Sequence, residues 1–303
     1  MISVILVAAA AAAPADPASA WTHFTDHYDV TTGLLREDVL DAPACLTGVM
    51  KDLRENLDEL SVAQREAAML ALEPWRAAHT ERGTPPPAPC IGHYGENYVI
   101  GEHFSVEWDG NTVSESTAQA FLDALEYSWD IEIDELGWAE PTGASDTQIL
   151  AYIADGNSAG AYTTITSCSS GSVSAMPYIV AYAGSFSASS GWYKTMAAHE
   201  FNHATQFYYG YGQEFYYWEA TASWLEEYVY PDQNDWASSI QYGYSKQPHI
   251  SMNASDQNDN DVFWHMYAMA VWNFYLDEHV GGHDLIQQIW ENTPRNGQYN
   301  YWM

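Results

Sequence analysis

The sequence predicts an α+β chain in which a mixed sheet precedes a long, mostly apolar helix and a mainly helical C-terminal part. Three observations lead there. His103-Phe104-Ser105-Val106-Glu107-Trp108 alternates as a strand, and residues 148–154 and 177–183 read as further strands. Residues 194–209 carry Met196, Ala197, Ala198, Phe201, Ala204 and Phe207 in a helical pattern, as expected of a helix running through a core. From Trp218 onward the apolar residues recur at helical spacing.

Taken in order, residues 1–20 read as a secretory signal peptide. An apolar run from Ile2 to Val7 leads through an alanine run to Ala18-Ser19-Ala20, an A-x-A cleavage pattern, although no Lys or Arg precedes it. The run is too short for a membrane span, and no later stretch approaches 18 uninterrupted apolar residues. A secreted, extracellular chain is therefore expected. Residues 21–90 form a helical N-terminal segment or removable prosegment, with Leu46, Val49, Met50, Leu53, Leu57 and Leu60 at helical period. The segment ends in the stiff linker Gly83-Thr84-Pro85-Pro86-Pro87. His23 and His27 stand four apart without a neighbouring Glu and read as a surface pair. Cys45, Cys90 and Cys168 are the three cysteines; a secreted chain permits a disulfide, three pairings are open, and one thiol is left over.

Residues 91–303 read as the main domain. After the turn Asp109-Gly110-Asn111, residues 116–136 are predicted helical, with Ser116 and Gln119 as a capping box and Phe121, Leu122, Leu125, Trp129 and Ile133 as the inner face. The Asp256–Asp261 run offers oxygen side chains to calcium but lacks the Gly and terminal Glu of a standard loop, so a turn capping the next helix is the better reading. Helices are expected over 262–278 and 284–291. The chain then stops at Tyr301-Trp302-Met303 with nothing to cover them, which reads as a C-terminal truncation.

Composition narrows the partners. With 47% hydrophobic and 15% aromatic residues the chain has material for a core. Nine Lys and Arg against 41 Asp and Glu give a net charge of -32, so nucleic acid and anionic membrane surfaces are poor partners. The same acidity fits either high-salt surroundings or an ordinary secreted bacterial protein.

The chemistry is concentrated in His199-Glu200-Phe201-Asn202-His203. On a helix, positions i and i+4 lie one above the other, so both imidazoles share a face with Glu200 beside them. HExxH is the zincin motif, and a catalytic zinc takes three protein ligands with a fourth position left open. Burying His, Glu and His in an apolar helix is costly unless a metal satisfies them together. Glu219, in the helix that follows the turn with Gly210 and Gly212, is the expected third ligand; Glu226 and Glu227 compete, and Glu226 also suits a hydrogen bond to a ligand histidine. Strands before the motif and helices after it match a zincin-like metalloprotease fold, whose last strand would border the cleft and pair with extended substrate.

The string His-Glu-Phe-Asn-His-Ala-Thr-Gln from His199, then Trp-Glu-Ala-Thr-Ala-Ser-Trp-Leu-Glu-Glu from Trp218, then Val229-Tyr230-Pro231-Asp232 resembles a family of secreted bacterial zinc metalloproteases of the gluzincin type, known chiefly from myxobacterial genomes. The resemblance runs from about His93 to Thr293. It departs at Ala220, where the family usually has Gly, and at Asp109-Gly110-Asn111, which is shorter than the family's segment and puts any calcium site there in doubt. It implies a zincin fold and a His199, His203, Glu219 ligand set more firmly than a substrate.

The expected activity is endopeptidase hydrolysis of a peptide or protein substrate. A zinc-bound water attacks the scissile carbonyl, and Glu200 is the general base that passes the proton to the leaving amine. His265, Tyr267 and Tyr228 are candidates for stabilising the oxyanion. Two other readings stand beside it: a non-catalytic zincin-fold binding protein, and a cell-surface protein with a structural zinc. A site closed by four ligands would favour the last.

Overall fold

In the computed structural model, which describes residues 16–36, 44–81, 93–166, 176–187, 191–210, 214–243, 245–256 and 259–292, the chain opens on a helix cap. The Asp16 carboxylate accepts from the N–H groups of Ala18 and Ser19, and Pro17 occupies the first turn, so α1 (Pro17–His27) starts there. The Ala18-Ser19-Ala20 pattern lies in that turn, with Ala20 buried. Residues 1–15, the proline linker 83–87, Cys90, Cys168 and the terminal 301–303 lie outside the described residues.

A two-residue strand β1 (Ala44–Cys45) leads into α2 (Thr47–Glu55). The side chains of Ser61 and Gln64 form a capping box that starts α3 (Val62–Leu72), and α4 (Trp75–Glu81) follows. Next come β2 (Asn97–Ile100), β3 (Phe104–Trp108) and α5 (Glu115–Trp129). The cap of α5 is Ser114, whose hydroxyl accepts from Thr117 N–H, rather than Ser116. The helix expected to run on to residue 136 turns into a π-helical stretch, Asp130–Glu135, where Glu132 is fully buried. Strands β4 (Ile149–Ala154), β5 (Gly160–Thr166) and β6 (Met176–Tyr182) precede α6 (Trp192–Tyr209) and α7 (Phe215–Val229). Asp259, accepting from Asp261 and Val262 N–H, caps α8 (Asn260–Ala268), so the acidic run serves a helix start. The single helix expected over 262–278 breaks at Met269 into α8 and α9 (Ala270–Leu276), and α10 (His283–Glu291) closes the described chain.

The strands form one mixed sheet in the order β1-β5-β6-β4-β3-β2, antiparallel at β5/β6 and β2/β3 and parallel elsewhere. This is an α+β chain. Side chains alternate across a strand, and the alternation splits the sheet's two faces. Ile149, Ala151, Ile153, Ile179 and Ala181 face α5 and α6 through Phe121, Leu125, Trp129, Ala197 and Phe201. Tyr152, Tyr162, Tyr178, Val180 and Tyr182 face the N-terminal helices through Phe24, Val49, Met50, Leu53, Leu72 and Trp75. The tyrosines on that face are anchored at their tips: Tyr162 and Tyr178 donate to the carbonyls of Ala71 and Leu72. Helices α1 to α4 thus cover one face of the sheet, and β1 adds a strand to it. The third cluster, around Trp218, Trp224 and Trp290, joins α7, α9 and α10.

Two expectations need correction. His23 and His27 are not a surface pair: both are buried between α1 and the elements beneath it, with His27 Nδ1 2.9 Å from the His23 carbonyl. An apolar helix face turned to the sheet takes its histidines inward with it. The strand beside the site is also not the last one, β6, which lies inside the sheet. It is β5, a run of Tyr, Thr and Ile outside the strands expected from sequence, whose Thr163 hydroxyl meets Glu200.

Candidate metal centre

α6 is buried without interruption from Thr195 to Gln206. It starts at Gly191, whose φ of 110° suits glycine, and stops at Gly210, which adopts φ 93° and donates to the Gln206 carbonyl. One helical turn separates His199 from His203, so their rings stand 4.8 Å apart, edge to face. α7 returns across α6 on small residues, Ala220, Ala222 and Ser223, all buried. That approach brings Glu219 to the histidines: Glu219 Oε2 is 3.1 Å from His199 Nε2, and Oε1 is 3.6 Å from His203 Nε2.

Each ring has its other nitrogen engaged. His199 Nδ1 lies 2.7 Å from Glu226 Oε1, and His203 Nδ1 lies 2.7 Å from Gln206 Oε1. Both Nδ1 atoms donate, so the two Nε2 lone pairs are turned to the same point, the arrangement that orients ligand histidines. Gln206 is itself fixed, its amide donating to Asn202 Oδ1 at 2.6 Å and to the Trp218 carbonyl at 3.1 Å. Asn202 in turn donates to the buried Glu132 at 3.2 Å. Burial pushes the Glu132 carboxyl well above the usual carboxylate range. Glu227, the other competitor, accepts from the Trp236 indole N–H and points away.

A fourth donor completes the cluster. Cys45 Sγ is 3.3 Å from His203 Nε2, and Cys45, His199, His203 and Glu219 place one donor atom each within 4.8 Å of one another, all four residues buried. Tetrahedral zinc with the usual bonds to nitrogen, oxygen and sulfur separates its ligand atoms by about 3.3–3.6 Å. Three of the donor-to-donor distances, 3.1, 3.3 and 3.6 Å, fall around those edges. The four residues can therefore hold a metal ion. Without one they are a charged, buried knot. Burial pulls the His203 imidazole down, yet the Cys45 sulfur and Glu219 carboxylate outweigh it and push it up to about 10. Burial pushes Glu219 up, but His203 and His199 hold it down at about 2. A metal entering this knot displaces protons from the imidazoles.

Cys45 comes from the register of the sheet. β1 pairs in parallel with the outer edge of β5, Cys45 opposite Ala161, and so shares the face that Ala161 and Thr163 turn to α6. Cys45 is a free thiol, so the disulfide pairings that use it do not form. Nothing local marks it: Pro43-Ala44-Cys45-Leu46 matches no ligand spacing.

Glu200 is buried on the cleft side of α6. Its Oε2 accepts from Thr47 Oγ1 at 3.1 Å and lies 2.7 Å from Thr163 Oγ1, while Thr47 Oγ1 also accepts from Thr163 N–H at 2.8 Å. The cleft, about 360 Å³, is lined by Cys45, His199, Glu200, Trp192, Trp236 and Tyr267 among others. Of the three oxyanion candidates, Tyr267 lines it, its ring stacked on His199 at 5.8 Å and its hydroxyl donating to the Cys45 carbonyl at 3.2 Å. His265 Nδ1 is held to the Tyr242 carbonyl, and Tyr228 donates to Asp277. Sequence reasoning missed Cys45, Thr47, Thr163, Gln206 and Glu132. Only Gln206 carried a signal, as a polar residue four after Asn202 in an apolar helix.

The carboxylate behind His199 is open to test. Replacing Glu226 by Ala removes the acceptor that orients the ring, and the affinity for zinc is expected to fall about 10- to 100-fold, read by competition with a chromophoric chelator. Unchanged affinity would show that Glu226 does not position the ligand.

Compared with protein-family models, with curated proteins and with solved structures, the chain finds no match. The functional reading rests on the chemistry of the site.

Proposed function

We propose that the chain is a secreted zinc-dependent endopeptidase with a zincin-like fold, in which His199, His203 and Glu219 hold the metal and Glu200 is the general base. The observation that carries this reading is the convergence of two Nε2 atoms and a carboxylate on one point, with His199 and a second, separately held carboxylate, Glu200, lining a cleft. A gluzincin-type metalloprotease of the family the sequence resembles has this ligand set. Zinc, when bound, supplies a Lewis acid that polarises a carbonyl and makes water acidic near neutral pH. The protein's part is positioning. Thr47 and Thr163 hold Glu200 by one oxygen, leaving the other to take a proton and deliver it to the departing amine. Tyr267 places a hydroxyl donor in the cleft. β5 is the strand that meets Glu200, through the Thr163 hydroxyl, and its outer edge is paired with β1. Among the described residues no helix is long and apolar enough to cross a membrane.

A second reading has one observation in its favour. Cys45 brings the donor set to four, and a metal closed by four protein ligands is structural. The experiment that separates the two is peptide hydrolysis by the zinc-loaded chain and by its Cys45→Ala variant, before and after chelation and with zinc restored. We expect one zinc per chain and hydrolysis that follows the metal. One tightly held zinc with no hydrolysis by either protein would sink the peptidase and leave a structural site.

A further inference from the structure

We infer that Cys45 is a metal ligand, and that Ala44–Thr47 is an internal latch that keeps the peptidase proposed above latent, an inference that rests on that proposal. Four contacts of this one short segment meet the parts of the site that a substrate would use. The sulfur of Cys45 stands 3.3 Å from His203 Nε2 and within the donor cluster, the place left for water or substrate by a three-ligand set. The backbone of β1 pairs with the edge of β5, and Leu46 N–H donates to the Ala161 carbonyl at 2.7 Å, so the edge that would receive an extended peptide already carries a strand. The Cys45 carbonyl takes the hydroxyl of Tyr267. Thr47, two residues on, holds the Glu200 carboxylate and the Thr163 N–H.

The four contacts belong together because they leave the chain from three consecutive residues, Cys45 to Thr47. β1 ends at Cys45, Leu46 turns the backbone at φ −115° and ψ 13°, and Thr47 begins α2, so Cys45 and Thr47 reach the metal cluster and the base across one turn. The peptide group between Cys45 and Leu46 serves both neighbours, its carbonyl taking the Tyr267 hydroxyl and its N–H donating to the Ala161 carbonyl on β5. A cysteine serving only as core filler would need none of this. Nor does a purely structural ligand need its segment to engage the base and the cleft tyrosine as well. Opening the latch is a ligand exchange with no redox change: the thiolate leaves the metal and takes up a proton, a water molecule enters, and the Tyr267 hydroxyl and the β5 edge are freed together.

The test uses the full chain loaded with cobalt(II) for spectroscopy and with zinc for activity. The wild-type cobalt spectrum should show a thiolate-to-metal charge-transfer band in the near ultraviolet. It should be absent in Cys45→Ser, which keeps the size of the side chain. Cys45→Ala, loaded with zinc, should hydrolyse peptides on the order of a hundredfold faster than wild type, the gain expected if about 1% of latched molecules are open at any moment. Cobalt bound without the charge-transfer band in wild type overturns the latch whatever the variants do. A band present together with Cys45→Ala activity equal to an active wild type also overturns it, and leaves the peptidase standing. A band present with neither protein active overturns latch and peptidase together, because removing the thiolate then uncovers no hydrolysis.

Discussion

Glu200→Gln is expected to bind zinc as tightly as the parent chain and to lose about 10²- to 10⁴-fold in turnover, the range a positioned general base contributes. The substitution is best made in the Cys45→Ala background, where the thiolate does not mask activity. Glutamine keeps the length of the side chain and an oxygen to accept from Thr47 and Thr163, so the two threonine contacts survive. What it loses is the capacity to take a proton. Because Glu200 is not among the four converging donors, the metal should be undisturbed. Metal content and steady-state peptide hydrolysis read the two halves of the expectation separately. If the variant turned over at the parental rate, Glu200 would not be the base; if it lost its zinc, Glu200 would be acting as a ligand or its support.

Glu219→Gln should have the opposite signature. The carboxylate faces both imidazoles, and it is almost fully buried. A structural four-donor zinc site is worth about 10–16 kcal/mol at neutral pH, so a single strong ligand accounts for roughly a quarter of that, and zinc affinity should fall by about 10² or more. Zinc at a thousandfold excess over its dissociation constant stabilises a protein by about 4 kcal/mol. In urea unfolding the parent chain should gain that amount when zinc is added, and Glu219→Gln should gain at most about 1.4 kcal/mol at the same zinc concentration. Equal stabilisation of the two proteins would remove Glu219 from the ligand set.

The candidate centre was legible where its chemistry is local. A helix places i and i+4 on one face whatever surrounds it, so His199, Glu200 and His203 declare their geometry in five letters. Glu219 was legible because a glycine stop and a run of small residues bring the next helix back over the first. The partners of those residues were harder to read. Gln206 and Asn202 support His203 from within the same apolar helix, and Glu132 reaches them from a π-helical turn that a regular helical period does not foresee. The buried His23–His27 pair shows the same limit: an isolated helix does not say which of its faces a sheet will cover.

The sequence by itself determined the α+β class, the order of strands before helices, and the presence of two histidines and two carboxylates at a spacing suited to a metal. Those properties follow from short-range geometry, the periods of 2 and 3.6 residues and the conformational preferences of glycine. Only the tertiary structure decided that β5 rather than β6 meets the Glu200 carboxylate, that the N-terminal helices cover the second face of the sheet, and that Cys45 joins the donor set from 154 residues before His199. The reason is register. A strand's side chains alternate, and the pairing of Cys45 with Ala161 sets which side the thiol takes. A shift by one residue would turn it away from the metal, and no property of residues 44–47 alone can set that pairing.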